Sequence, residues 1–143
     1  MFFRRYRALL ILGVVFAILI LLIIFFQQIK RDELNNQLTK VELQNVRIWA
    51  GISNGVLGTA IFGEIHNKGE KIISIAEMNV EFLNQDGEVA KVHKFFPVNK
   101  FSFRESLPLK PGQSKEFGFP IDDIVPEDCD GTFTARLTEL IFK

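Results

Sequence analysis

The chain holds a single cysteine, Cys129, in 143 residues, so no disulfide can close within it and its stability must come from packing in any compartment. It has no Asn-x-Ser/Thr glycosylation site either, which fits a bacterial envelope protein better than a eukaryotic secreted one. Metal ligands are few. His66, His93, Met78 and Cys129 are the side-chain types of a mononuclear copper site, but such a site takes its Cys, second His and Met from one loop, and no His or Met follows Cys129. A binuclear centre would need a second Cys. Neither a metal nor a cofactor is expected. Between Asp128 and Asp130, Cys129 lacks the electropositive surroundings of a reactive thiol, so a partly covered structural side chain or a bridge to another chain is expected.

Acidic residues are absent before Asp32, and Ala8 to Phe26 are nineteen residues without a charged or strongly polar side chain. As a helix rising about 1.5 Å per residue they cross about 28 Å, close to the hydrocarbon thickness of a bilayer. The run exceeds the apolar core of a typical secretory signal, and the bulky Phe25, Phe26, Gln27 and Gln28 leave no small-x-small cleavage signature. It reads as an uncleaved signal anchor. Arg4, Arg5 and Arg7 precede it, whereas Lys30 and Arg31 behind it are diluted by Asp32 and Glu33. The positive-inside rule then puts residues 1–7 in the cytoplasm, 8–26 across the inner (cytoplasmic) membrane as a single pass, and the C-terminal part in the periplasm or cell exterior. Gly13 and Ala17, four apart among Leu, Ile, Val and Phe, are small residues at a spacing that lets another membrane helix approach closely.

All seventeen acidic residues but only fourteen of the seventeen basic ones follow the anchor, a net charge of −3 with no basic stripe for nucleic acid. Residues 27–40 form a polar stalk or linker in which Leu34, Leu38 and Val41 keep helical spacing without a sustained heptad, so a continued helix and a flexible tether are both allowed. Residues 41–143 make one domain, large enough for a single core. Its texture is alternation with β-branched residues. Strands are read at Val41 to Trp49, Val56 to Ile65, Ile72 to Leu83, Glu88 to Val98, Ser114 to Ile121 and Thr132 to Phe142. Turns are read at Ser53-Asn54-Gly55, Asn84-Gln-Asp86-Gly87 and Pro111-Gly112, with an irregular acidic stretch from Asp122 to Gly131. About seven short strands over a hundred residues predict an all-β fold, an immunoglobulin-like antiparallel β-sandwich preceded by a single transmembrane α-helix.

Three strings carry a resemblance: Gly63-Glu-Ile-His-Asn67-Lys-Gly-Glu-Lys-Ile72, Val80-Glu-Phe82-Leu83-Asn-Gln-Asp86-Gly87-Glu-Val89, and Leu109-Lys-Pro111-Gly112-Gln-Ser-Lys-Glu-Phe117. Together they are similar to the FxLYD-type domains of bacterial envelope proteins over about Gly63 to Phe119. Phe82-Leu83-Asn84 departs from the aromatic-Asp ending that this family favours. The resemblance implies a binding or structural module. The residues themselves explain the outline: Gly87 and Gly112 free the backbone at turns, Asn67 can hydrogen-bond its own backbone where a strand stops, and Phe117 shares a face with Phe119.

Gly51-Ile-Ser53-Asn-Gly55 matches the Gly-x-Ser-x-Gly nucleophile elbow, but Val56 to Phe62 after it is strand-like where the elbow needs a helix, so a hairpin turn is expected. Asp122, Asp123, Glu127, Asp128 and Asp130 match no calcium loop and read as a solvated acidic segment. The informative segment is Phe95-Phe96-Pro-Val-Asn-Lys-Phe101-Ser-Phe103-Arg104. Phe95 and Phe96 are consecutive, and a regular strand sends neighbours to opposite faces, so either one faces outward or the strand is bulged and all reach the core. Exposed aromatics beside an Arg make Phe95, Phe96, Phe101, Phe103 and Arg104 candidate partner-binding residues.

No acid, base and nucleophile cluster can be assembled, so an enzyme is not expected. The expected function is a membrane-anchored extracytoplasmic protein-interaction module, an accessory or assembly subunit of a membrane complex. Its partners would be the membrane bilayer and a protein. The alternative is a β-sandwich that binds a lipid or other apolar ligand at the membrane surface. Protease added outside intact spheroplasts should digest the 41–143 domain; complete protection would reverse the orientation.

Overall fold

The apolar run belongs to a helix longer than a bilayer needs. A computed structural model describes residues 2–53, 56–102 and 107–143, with residues 2–11, Ser53 and Val56 described by backbone alone. Helix α1 (Phe2–Leu38) includes a stretch long and apolar enough to cross a membrane. Its described apolar side chains from Leu12 to Ile29 are exposed, as suits a helix solvated by lipid. The helix continues through most of the 27–40 stalk and closes where the Lys40 amide donates to the Gln37 carbonyl, 3.0 Å.

Six strands follow: β1 (Val41–Ser53), β2 (Val56–Asn67), β3 (Ile73–Asn84), β4 (Val89–Asn99), β5 (Ser114–Pro120) and β6 (Cys129–Phe142). They form two three-stranded antiparallel sheets, ordered β1-β2-β5 and β4-β3-β6. Six among the described residues replaces the expected seven or so. Between β4 and β5, Leu109 makes only an isolated bridge to Ile73, because Pro108 and Pro111 remove ladder donors on both sides of it. Buried side chains come from the middle strand of each sheet, Ile61 and Ile65 of β2 and Met78, Val80 and Phe82 of β3. Phe95 of β4 stacks on Phe119 of β5 at 4.9 Å, and Phe119 on Phe117 at 5.6 Å, so side chains of the two sheets share one core.

A bulge in β1 decides which residues that strand turns outward. Its register to β2 shifts between Gln44 and Arg47, and Asn45 takes the left-handed conformation, φ 54°, which Asn tolerates better than most residues. Val41 is buried in the odd-numbered phase; after the extra residue Val46 and Ile48 are partly covered while Arg47 and Trp49 are exposed. Without the bulge, Trp49 would face the core.

At the end where β1 begins, Asn67 ties the loops together. It is 1% exposed, with its Nδ2 donating to the carbonyls of Lys71 (2.9 Å) and Leu109 (3.1 Å) and its Oδ1 accepting from the Gly69 amide (3.0 Å). Its backbone amide donates to the Gln113 carbonyl and its carbonyl accepts from the Gly112 amide. At the opposite end lie the β1–β2 hairpin, the Asn84–Val89 turn and the acidic segment between β5 and β6. Asn84 Oδ1 accepts from the Asp86 and Glu88 amides there, closing the turn.

Deleting the Asn67 side chain strands the Gly69 amide and the part-buried Lys71 carbonyl, whereas the Leu109 carbonyl keeps its bond from the Ile73 amide; each unsatisfied group is worth about 1–3 kcal/mol. Asn67→Ala should therefore lower the unfolding free energy by about 2 kcal/mol or more in denaturant titration. Gly63→Ala should cost about 1–3 kcal/mol by overpacking, because a Cβ there would meet the Phe117 ring at 2.6 Å and Val46 at 3.1 Å.

Candidate functional site

The outer faces of the two sheets differ in kind. Across β3, β4 and β6 the exposed side carries a polar ladder beside the exposed Val92 and Ile141: Glu77 pairs with Lys94 at 2.9 Å and accepts from the Thr138 hydroxyl, and Glu81 pairs with Arg136 and accepts from Thr134. The Lys94 ammonium holds the Glu77 carboxyl below the usual carboxylate range, with Thr138 adding to the effect and partial burial opposing it. That contact is present at neutral pH and is lost as the pH falls through the carboxylate range.

The other sheet turns aromatics outward. Trp49 of β1 is 64% exposed with its indole against Gly51, and Phe62 of β2 is 39% exposed. Phe62 lies opposite Gly118 of β5, and a Cβ on Gly118 would meet its ring at 2.8 Å, so the absent side chain is what seats the ring on the sheet. Toward β4, Phe62 and Gly118 line a groove of about 410 Å³ closed by Phe96 and Pro97 and edged by Lys115 and Glu116. Toward the hairpin, Phe62 lines a second hollow of about 370 Å³ with Trp49, Pro120 and the exposed cross-strand pair Ile52 and Leu57. Phe62 thus joins two concave surfaces into one apolar band.

The two consecutive phenylalanines separate as the strand geometry requires. Phe95 is 6% exposed and packs on Phe119 and His93, whereas Phe96 is 40% exposed in the groove. Both alternatives read from the sequence are partly realised, since the β3–β4 register also shifts between Ala76 and Met78, opposite Phe96. Phe95 therefore drops out as a surface residue. Phe101 is exposed on the turn after β4, with the Lys100 ammonium 4.9 Å from its ring centre, and does not line the groove. Phe103 and Arg104 lie outside the described residues.

Gly51 and Ser53 belong to β1, which pairs directly with β2 through Ser53 and Val56; Asn54 and Gly55 are outside the described residues. A strand thus follows where an elbow needs a helix. Cys129 is half-buried at the start of β6, its thiol 3.8 Å from the Thr132 carbonyl. The carboxylates from Asp122 to Asp130 are exposed. Asp122 accepts from the Thr59 amide at 2.7 Å, and hydrogen bonds from Thr132 hold the Asp130 carboxyl below the usual range. Gly13 and Ala17 sit one turn apart on the exposed surface of α1.

Trp49, Phe62, Ile52 and Leu57 were not singled out by sequence reasoning. A usable signal existed: Phe62 stands between the inward Ile61 and the small Gly63, so period two sends it out. Comparisons with known proteins return no matching family model, no significantly similar curated protein and no significantly similar solved structure.

Neighbouring residues should respond oppositely to truncation. Phe95→Ala should cost about 3–5 kcal/mol of stability, as core Phe deletions do, while Phe96→Ser should shift it by about 0.5 kcal/mol or less. Equal losses in thermal unfolding would contradict the assignment of Phe96 to the surface.

Proposed function

We propose that this chain is a non-enzymatic, membrane-anchored module whose β domain, an immunoglobulin-like sandwich, docks a protein partner as an accessory or assembly subunit of a membrane complex. The observation that carries this reading is the aromatic band in which Trp49 and Phe62 of the β1-β2-β5 sheet meet Phe96 of β4 across a groove, while the middle strand of the other sheet turns out Glu77 and Glu81 in ion pairs. Scattered exposed apolar residues are ordinary on a soluble domain, but aromatics joined across two concave surfaces and rimmed by Lys115, Glu116 and Arg47 have the composition of a binding patch. The resemblance to FxLYD-type domains supports a binding or structural module. The anchor-first arrangement, with arginines before the span, supports a domain outside the cytoplasm.

Purification of the full chain in mild detergent tests the reading. A stoichiometric protein partner is expected; co-purifying lipid alone would favour an apolar-ligand carrier instead. Phe62→Ala and Trp49→Ala should each weaken partner capture about 30-fold, since loss of a central aromatic anchor commonly costs about 2 kcal/mol or more. Ser53→Ala and Cys129→Ser should leave capture intact. Abolished function in folded Ser53→Ala with normal capture by the aromatic variants would defeat the docking reading.

A further inference from the structure

The charges of the β domain are sorted by end. Where β1 begins, backbone hydrogen bonds gather Lys40, Lys68, Lys71, Lys100, Lys110 and Lys143: the Lys68 amide donates to the Lys40 carbonyl at 2.8 Å, Lys100 to Ser74 at 3.1 Å and Lys143 to Ile72 at 2.9 Å. Lys110 immediately follows Leu109, which exchanges backbone hydrogen bonds with Ile73. Five of these six lysines are exposed and Lys40 is half-buried. Among the described residues of this end the opposing carboxylates are Glu42, already paired with Lys68 at 2.7 Å, and Glu70. At the other end the turn after β3 and the segment before β6 expose a concentration of carboxylates from Asp86 to Asp130. The part of the chain after the anchor, of net charge −3, therefore carries a positive end, and that end is the one joined to the helix.

We infer that this lysine-rich end is a membrane-contact surface for anionic lipid headgroups, which holds the domain with Trp49, the β1–β2 hairpin and the acidic end directed away from the bilayer. The occupant follows from charge complementarity and from the chain itself, since α1 delivers this end to the bilayer and no other. Twelve helical residues after Phe26 cover at most about 18 Å, of which the headgroup layer takes up about 6 Å. The reach of the lysine side chains and a Debye length of about 8 Å span what is left. Each lysine near an anionic surface favours contact about fivefold, so several acting together fix the orientation. The inference rests on the membrane anchor and not on the identity of a protein partner.

The full chain in nanodiscs provides the test, with a donor dye on Asp86→Cys in a Cys129→Ser background and an acceptor in the headgroups. The Asp86 turn stands at the far end of β3, whose twelve residues extend about 40 Å. Seating should hold the donor away from the surface, giving low and narrowly distributed transfer in phosphatidylglycerol-rich discs. In phosphatidylcholine discs, or at about 1 M salt where the Debye length is about 3 Å, the domain swings and transfer should rise and broaden. Lys100→Gln, Lys110→Gln and Lys143→Gln together should lower the seated-to-free ratio about a hundredfold, and Lys91→Gln, away from this end, should not. Transfer independent of lipid charge overturns the inference, as does lipid-dependent seating that survives the triple substitution. Failure of the chain to enter the discs would overturn the anchor as well.

Discussion

Asn67 is the point on which the rest of the domain hangs. One fully buried amide uses both donors and its acceptor on two separate stretches of chain, bonding the Gly69 amide and the Lys71 carbonyl in one and the Leu109 carbonyl in the other. Its own backbone adds Gly112 and Gln113. The loop between β2 and β3 and the proline-bearing segment between β4 and β5 have no ladder of their own, and a buried loop without hydrogen bonds would be prohibitively costly. Asn67 supplies them. Because Lys68, Lys71 and Lys110 sit within a residue or two of groups bonded to Asn67, the same amide fixes where the positive end presents its charge. A packing constraint thus becomes an electrostatic one.

The two sheets solve the exposed-face problem in opposite ways. Glu77 and Glu81 on the middle strand β3 are each bracketed by a cation and a hydroxyl, which leaves that face hydrated and unsuited to burial. Desolvating such pairs on docking would cost more than it returns. On the sheet of β1, β2 and β5 the corresponding places are taken by Trp49, Phe62 and Gly118, and the glycine lets the Phe62 ring lie flat across its neighbour strand. A ring held by sheet backbone loses little freedom when a partner covers it, which is the property that makes aromatic anchors effective.

Much of this was legible in the residues and some was not. The apolar run, the alternating strands, the Asn84–Gly87 turn and the outward turn of one of Phe95 and Phe96 all follow from local chemistry. The phase change in β1 was also written there, since Val41 and Leu43 are odd-numbered and Val46 and Ile48 even-numbered, a pattern that demands one extra residue. Reading the segment as a plain strand hid Trp49's exposure. The long-range part of Asn67's role was not accessible, because only the strand order brings Leu109, forty-two residues away, against it. Likewise the sorting of charge by end depends on which loops share an end, and a sequence read linearly shows only the net −3 of the part after the anchor.

Placing the aromatic band and the lysines on one small domain creates a conflict that the topology resolves. An exposed Trp and Phe next to a bilayer would partition into its interface, where aromatic side chains are stable, and would be lost to any protein partner. Trp49, Ile52 and Leu57 lie toward the β1–β2 hairpin, and β1 runs thirteen residues from the lysine-bearing end to that hairpin, about 40 Å of extended chain. The carboxylates of Asp122 and Asp123 flank the same end and are repelled by an anionic surface. Attraction at one end and repulsion at the other act in the same rotational sense. The hairpin half of the proposed docking band, with Trp49, is therefore kept available by the same charge separation that would seat the domain.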